Sequence, residues 1–309
     1  MIELLGYKAA ADGLKITNRV KSYYWYEYKD YRSWTGVELD VYRENGLITI
    51  WTRSRASRSF WDLKHQNRTL KLIRDLFGGH FTTDAGRNRC WVPDDAPPSP
   101  LSSGCYLARW RFHNALGKAR IYLMTRKLEG DIARETPSGL FFLDEMNPRL
   151  LSNNLLIPFV IAVWEEYFRE TFAAVLKYTD KREAALKKAR LSHTQLEQIL
   201  FSNRPLERAV GECFSFQRPS FIGENFRMLD RRLDIASALR KPYRRRKITL
   251  FESIEALVER RNAFAHEGTM DLSLYDKDLD RLLTDVVEAV DRAYAIIGKT
   301  FDFTPIHDY

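Results

Sequence analysis

Hydrophobic positions along this chain change period part-way through, and the change separates two kinds of structure. In the first part Val37-Glu38-Leu39-Asp40-Val41 alternates apolar with polar residues. Glu44-Asn45-Gly46 supplies a turn and Leu47-Ile48-Thr49-Ile50-Trp51 returns, which is the pattern of a β-hairpin. Phe60, Leu63, Leu70, Ile73 and Phe77 then recur near helical spacing, with Ser59 placed to cap that helix and Gly78-Gly79 to stop it. A loop rich in proline, aspartate and serine follows from Pro93 to Gly104. Tyr106 to Phe112 and Ala119 to Leu123 read as a second hairpin, turned near Asn114 and Gly117. The order ββαββ predicts a small mixed domain over residues 1–148.

From Asn147-Pro148 onward the period is helical almost throughout. Leu155 to Tyr178 forms one long apolar-rich segment, Ser192-His193-Thr194-Gln195 resembles a capping box, and Pro205 opens a further helix through Phe214. More helical turns run from Ser220 to Leu239. Leu250, Ile254, Leu257, Val258 and Phe264 mark a penultimate helix, and Leu279, Leu282, Val286, Val290 and Ile297 mark the last. Residues 149–309 are therefore expected to be a helical bundle, and the whole chain an α+β protein. No internal repeat or low-complexity tract interrupts either part.

Composition narrows the possible partners. Hydrophobic residues make up 45% and charged residues 29%, the balance of a folded soluble protein. A net charge of +8 and a sequence pI of about 9.3 favour polyanions. The three cysteines, Cys90, Cys105 and Cys213, are not spaced for a zinc site or a disulfide framework and suit a reducing cytosol. Met1-Ile2-Glu3-Leu4-Leu5 lacks the features of a signal peptide. The longest apolar run, Leu155 to Trp164, falls well short of the ~20 residues a bilayer span needs, so a cytoplasmic location is expected. No glycine-rich phosphate loop, nucleophile elbow or HExxH stretch is present.

The densest chemistry lies at Glu259-Arg260-Arg261-Asn262-Ala263-Phe264-Ala265-His266-Glu267-Gly268. Arg261 follows Leu257 by four residues and so shares the apolar stripe, where a guanidinium needs an anionic partner, a carboxylate or a phosphate. Asn262 and His266 are four apart and lie on one side of a helix. Arg261 and His266 are five apart, about 140° around an ideal helix, so a straight helix does not aim both at one atom. The long arginine stem, fraying before Gly268, or a second subunit would have to close the gap. Alternatively, both side chains could cap helix carbonyls and pair with Glu255, Glu259 or Glu267.

Arg261-Asn262-Ala263-Phe264-Ala265-His266 resembles the arginine, polar residue, three-residue gap, histidine signature of the HEPN superfamily. Phe216-Gln217-Arg218-Pro219-Ser220 with Asn225 to Leu229 is similar to the middle section of its stand-alone, defence-associated members, and Trp164-Glu165-Glu166-Tyr167 to their first helix. The resemblance covers roughly residues 149–300. It implies that Arg261 and His266 are catalytic, that Asn262 orients them, and that two copies pair through the helical domain. It also implies cleavage of RNA without a metal or cofactor, by attack of the 2′-hydroxyl on the adjacent phosphate, in phage defence or as a toxin. The alternative within the same resemblance is a catalytically inactive dimerisation or RNA-binding scaffold. Some HEPN toxins carry a tyrosine two residues after the histidine that a partner antitoxin modifies. Gly268 stands there in this chain, which argues against such an antitoxin and leaves any defence partner unnamed.

Arg240, Lys241, Arg244, Arg245, Arg246 and Lys247 crowd the approach to the motif helix, either to grip RNA phosphates or as a solvated loop. Tyr23, Tyr24, Trp25, Tyr26, Tyr28, Tyr31 and Trp34 are interleaved with cations, a composition that suits base stacking but more often builds a core. His65, His80 and His113 have no metal-ligand spacing, and Glu165 or Glu166 could brace Arg261 or form an internal salt bridge.

Overall fold

A computed structural model describes residues 2–9, 20–44, 46–93 and 96–304. Asn45 of the expected hairpin turn, and Asp94 and Asp95 of the expected loop, lie outside them. The chain divides into two compact units, the first running to Ser103 and the second from Gly104.

The first unit is built on one antiparallel sheet in the order β1-β2-β3-β4, formed by Lys8–Ala9, Val20–Trp25, Val37–Glu44 and Leu47–Arg53. The β3–β4 hairpin pairs Val41 with Ile50 and Leu39 with Thr52, in line with the alternation in the sequence. Helix α1, Phe60–Phe77, starts and stops where the sequence indicates. Ser59 and Asp62 form a reciprocal capping box, and Gly78, at φ 72°, closes the far end. Asp62 does more than cap: its Oδ2 also accepts the backbone N–H groups of Trp34 and Thr35, tying α1 to the segment before β3. Leu5, Tyr7, Val37 and Leu39 form the core, with Tyr23, Trp25, Val41, Ile50 and Leu72 packed against it. Part of the aromatic cluster is thus structural. A two-residue pair, β5 at Thr82–Thr83 and β6 at Gly86–Arg87, completes the unit.

His65 of α1 stacks on Trp25, with ring centroids 3.7 Å apart and planes 3° from parallel. Its Nε2 is buried without a hydrogen-bond partner among the described residues. Burial, followed by the nearby Arg68 charge, pushes the imidazole down to about 4 from an ordinary 6.5. Below pH 6.5 the unfolded chain therefore takes up a proton that the folded chain refuses. Stability present above that value falls as pH drops towards 4, by on the order of 2 kcal/mol after allowance for solvent screening. His65→Phe keeps the stack and should remove that part of the acid sensitivity in urea unfolding at about pH 7 and about pH 5. Equal losses in both proteins would show that His65 is not the cause.

The expected second hairpin is not formed. Residues 106–123 lie inside α2, Pro100–Thr125, and Pro100 to Gly104, read as loop, begin it. The buried residues Cys105, Ala108, Phe112, Leu116 and Ala119 recur at spacings of three and four, a helical stripe hidden among aromatic and branched residues that suggest strands. The ββαββ order is therefore replaced by four strands, α1 and the short β5–β6 pair. Because α2 packs with the helices after it, the units divide at Ser103–Gly104 and not at residue 148. Phe112 meets Tyr167, and Arg109 pairs with Asp291 at 2.8 Å.

The second unit is helical. After α2 come α3 (Phe141–Glu145), α4 (Pro148–Tyr178), α5 (Glu183–Lys188) and α6 (His193–Phe201). They are followed by α7 (Leu206–Glu212), α8 (Pro219–Leu229), α9 (Ile235–Leu239), α10 (Leu250–Asn262) and α11 (Asp276–Phe301). Asn147 caps α4, and Pro148 stands at its first position, where a missing N–H costs nothing. Ser192 and Gln195 make the expected capping box of α6. Phe168 and Phe172 of α4 meet Phe214, Phe216 and Phe226 at centroid distances of 5.4–6.0 Å, and Trp164 sits edge-on to Phe168 at 4.6 Å, forming the aromatic centre of the unit. At about 1.5–3 kcal/mol for each large side chain fully buried, this cluster fixes α4 as the central helix of the unit. No helix among the described residues is long and apolar enough to cross a membrane.

Candidate active site

Helix α10 opens with a capping box between Thr249 and Glu252 and buries Leu250, Ile254, Leu257 and Val258. Its regular winding stops at Asn262, and Ala263–Glu267 continue as a single π-helical turn. Gly268, at φ 68°, ends the turn in the left-handed conformation that glycine adopts without strain. Its N–H donates to the Ala263 carbonyl five residues back.

This wider turn resolves the 140° mismatch by a route that spacing alone does not suggest. A turn closed by i→i+5 bonds returns residues five apart to one side. Arg261 Nη1 lies 3.5 Å from His266 Nε2 and donates to Asn262 Oδ1 at 3.0 Å. Arg261, Asn262 and His266 are therefore together in one chain, the first two half-buried and His266 exposed.

Of the three acidic neighbours that could have neutralised the pair, Glu255 and Glu259 are occupied elsewhere, and Glu267 is exposed and makes no ion pair among the described residues. Arg218, in the segment before α8, holds Glu255 at 2.7 Å and pairs with Glu259 as well. Arg260 points away to Asp271 at 3.0 Å. Among the described residues neither Arg261 nor His266 stands within ion-pair distance of a carboxylate. The guanidinium keeps donors free for an external anion. Arg218 is the residue that spacing missed. It was visible in the sequence only as part of the resemblance, and its partners lie on a different helix.

Of the two glutamates, only Glu166 is in an ion pair among the described residues. Glu166 forms the internal salt bridges, to Arg169 at 2.5 Å and Arg208 at 3.2 Å. Glu165 is half-buried close to Arg261. Burial raises its carboxyl above the ordinary range, while Arg169, Gln217 and Arg261 pull it down and Glu166 adds to the rise.

The basic segment is wired into the unit. Tyr243 is buried, with the guanidinium groups of Arg244, Arg246 and Arg292 over its ring at 5.0–5.6 Å. Arg292 also donates to the carbonyls of Ala238, Lys241 and Pro242. Arg240 covers Phe251 at 3.8 Å. Arg246 forms a two-pronged pair with Asp285, at 2.5 and 2.8 Å, and so is committed internally. Lys241, Arg244, Arg245 and Lys247 are exposed, with Arg244 and Arg245 both at positive φ. These four and Arg240 could still meet phosphates; Arg246 is the member of the group whose guanidinium is held by a buried carboxylate. Replacing Arg244 and Arg245 together with alanine should weaken RNA binding and reduce the salt dependence of log K by about one for each phosphate that is no longer met. An unchanged salt slope would remove this segment from the binding surface.

A cleft of about 530 Å³ lies beside α10, lined among others by Arg246, Glu252, Arg260, Ser273 and Arg281. Neither Arg261 nor His266 lines it. His113 lies 3.7 Å from Asp291, which Arg109 also holds. No cluster of three or more metal-ligating side chains occurs among the described residues.

Comparison of the chain with protein-family models, with curated proteins and with solved structures found no match in any of the three. The functional reading therefore rests on the residues themselves.

Proposed function

We propose that this chain is an endoribonuclease of HEPN type, cleaving RNA without a metal or cofactor. The observation that carries the reading is the 3.5 Å approach of His266 to an arginine left without a carboxylate partner. A positioned imidazole can carry a proton to or from the substrate, and a guanidinium with free donors can stabilise charge gathering on phosphoryl oxygens. The 2′-hydroxyl attacks the neighbouring phosphorus and the 5′-oxygen leaves. The products are a 2′,3′-cyclic phosphate and a free 5′-hydroxyl. Asn262, accepting from Arg261, orients the guanidinium.

Net charge of +8 and the exposed cations of the 240–247 segment support a polyanionic substrate. We further propose that two copies pair through the helical unit, that the protein works in the cytoplasm, and that its role is in phage defence or as a toxin. A glycine at position 268 leaves no hydroxyl for an antitoxin to modify there. The test is incubation of purified protein with RNA in excess chelator, beside His266→Ala. Cleavage by the parent and none by the variant supports the reading. RNA binding without cleavage would instead identify a scaffold.

A further inference from the structure

Transfer of a 2′-hydroxyl to phosphorus needs two proton movements: one off the attacking oxygen and one onto the leaving oxygen. His266 can make one of them. A second titratable group is needed, and three elements converge on one.

Glu165 follows Trp164 on α4, and Trp164 Nε1 donates to the Gln217 carbonyl at 3.1 Å, pinning the segment ahead of α8 against this turn of α4. Arg218 of that segment reaches Glu255 and Glu259 on α10, which itself packs on α4. Glu165 thus lies where α4, the Gln217–Arg218 segment and the end of α10 meet. The groups facing it are Arg169 and Glu166 on its own helix, Gln217 before α8, and Arg261 on α10. Glu166, Glu255 and Glu259 are held in ion pairs, whereas no ion pair within 4 Å ties Glu165 among the described residues.

We propose that Glu165 is the general base of this site and His266 its general acid, an assignment that rests on the ribonuclease reading above. The 2′-O–H proton passes to the Glu165 carboxylate as the O2′–P bond forms. The P–O5′ bond breaks, and protonated His266 gives its proton to O5′. Arg261 holds the phosphoryl oxygens between them. Glu165 ends protonated and His266 neutral, and exchange with water resets both. Base, acid and cation then come from one protomer. Burial strengthens the carboxylate as a base, because desolvation disfavours its charged form.

The full chain is tested on a short RNA in excess chelator, with Glu165→Gln, which keeps the side-chain shape, and thermal melts to confirm folding. The expected result is a roughly 10²–10⁴-fold fall in kcat with KM little changed. The parent's loss of rate towards acid pH should be flattened in the variant. A second substrate with sulfur in place of the 5′-oxygen needs no acid for departure. It should restore cleavage by His266→Ala but not by Glu165→Gln. Glu165→Gln within two-fold of the parent, while His266→Ala is inactive, overturns the base assignment and leaves the ribonuclease reading standing. Rescue of Glu165→Gln by the sulfur substrate also overturns it. A parent protein that cleaves neither substrate brings down both.

Discussion

Arg246→Ala is expected to lower the free energy of unfolding by about 3–5 kcal/mol, an effect on folding before any effect on RNA. Asp285 is only 1% exposed, and its carboxylate receives both prongs of the Arg246 guanidinium together with the Ser253 hydroxyl at 2.6 Å. Alanine removes the counter-charge and leaves a buried anion with one hydroxyl donor. The pair also joins the 240–247 segment to α11, so its loss frees the chain that leads into α10. Arg246→Lys keeps the charge without the fork and should fall between the two. Arg244→Ala and Arg245→Ala, at exposed positions, should stay within about 0.5 kcal/mol of the parent. Urea unfolding followed by circular dichroism makes the comparison. If all three alanine variants unfold alike, the buried pair does not hold this segment.

The second large effect is on catalysis. His266→Ala should reduce kcat by about 10²–10⁴-fold, the range for loss of a positioned proton carrier. Arg261→Ala should cost about 10²–10³-fold through lost charge stabilisation. The two side chains touch and act on one phosphate, so the double variant should be little worse than the more damaging single one. Multiplicative losses would indicate two independent roles and contradict a shared site. Melting temperatures should move little, since neither residue is buried or engaged in an ion pair among the described residues.

Legibility in the sequence followed how local the determinant was. The ends of α1 could be read because Ser59 and Gly78 act on their own neighbours, and the capping box at Ser192 for the same reason. The β3–β4 hairpin was legible because its register follows from alternation across a short turn. Helix α2 was not, since aromatic residues such as Tyr106 and Trp110 masked a stripe whose apolar partners, among them Tyr167, lie far along the chain. The strand Val20–Trp25 was likewise hidden in a run of aromatics on both faces. At the site, Arg261, Asn262 and His266 were legible as a motif, but their juxtaposition was not. A single extra residue accommodated in one turn moves His266 to the arginine, and the 3.6-residue repeat cannot express that. The commitment of Arg246 to Asp285, and of Arg218 to Glu255 and Glu259, depends on pairings between residues 37 to 41 apart in sequence. Charge density alone therefore assigned Arg246 to RNA.

The most direct measurement is the chemistry of the cut ends. Purified protein is incubated with an end-labelled RNA in excess chelator, and both new termini are identified beside those from His266→Ala. A 2′,3′-cyclic phosphate and a 5′-hydroxyl from the parent, with intact RNA from the variant, is the predicted result. A 3′-hydroxyl and a 5′-phosphate, cleavage that requires added magnesium, or fragments produced equally by His266→Ala would contradict it.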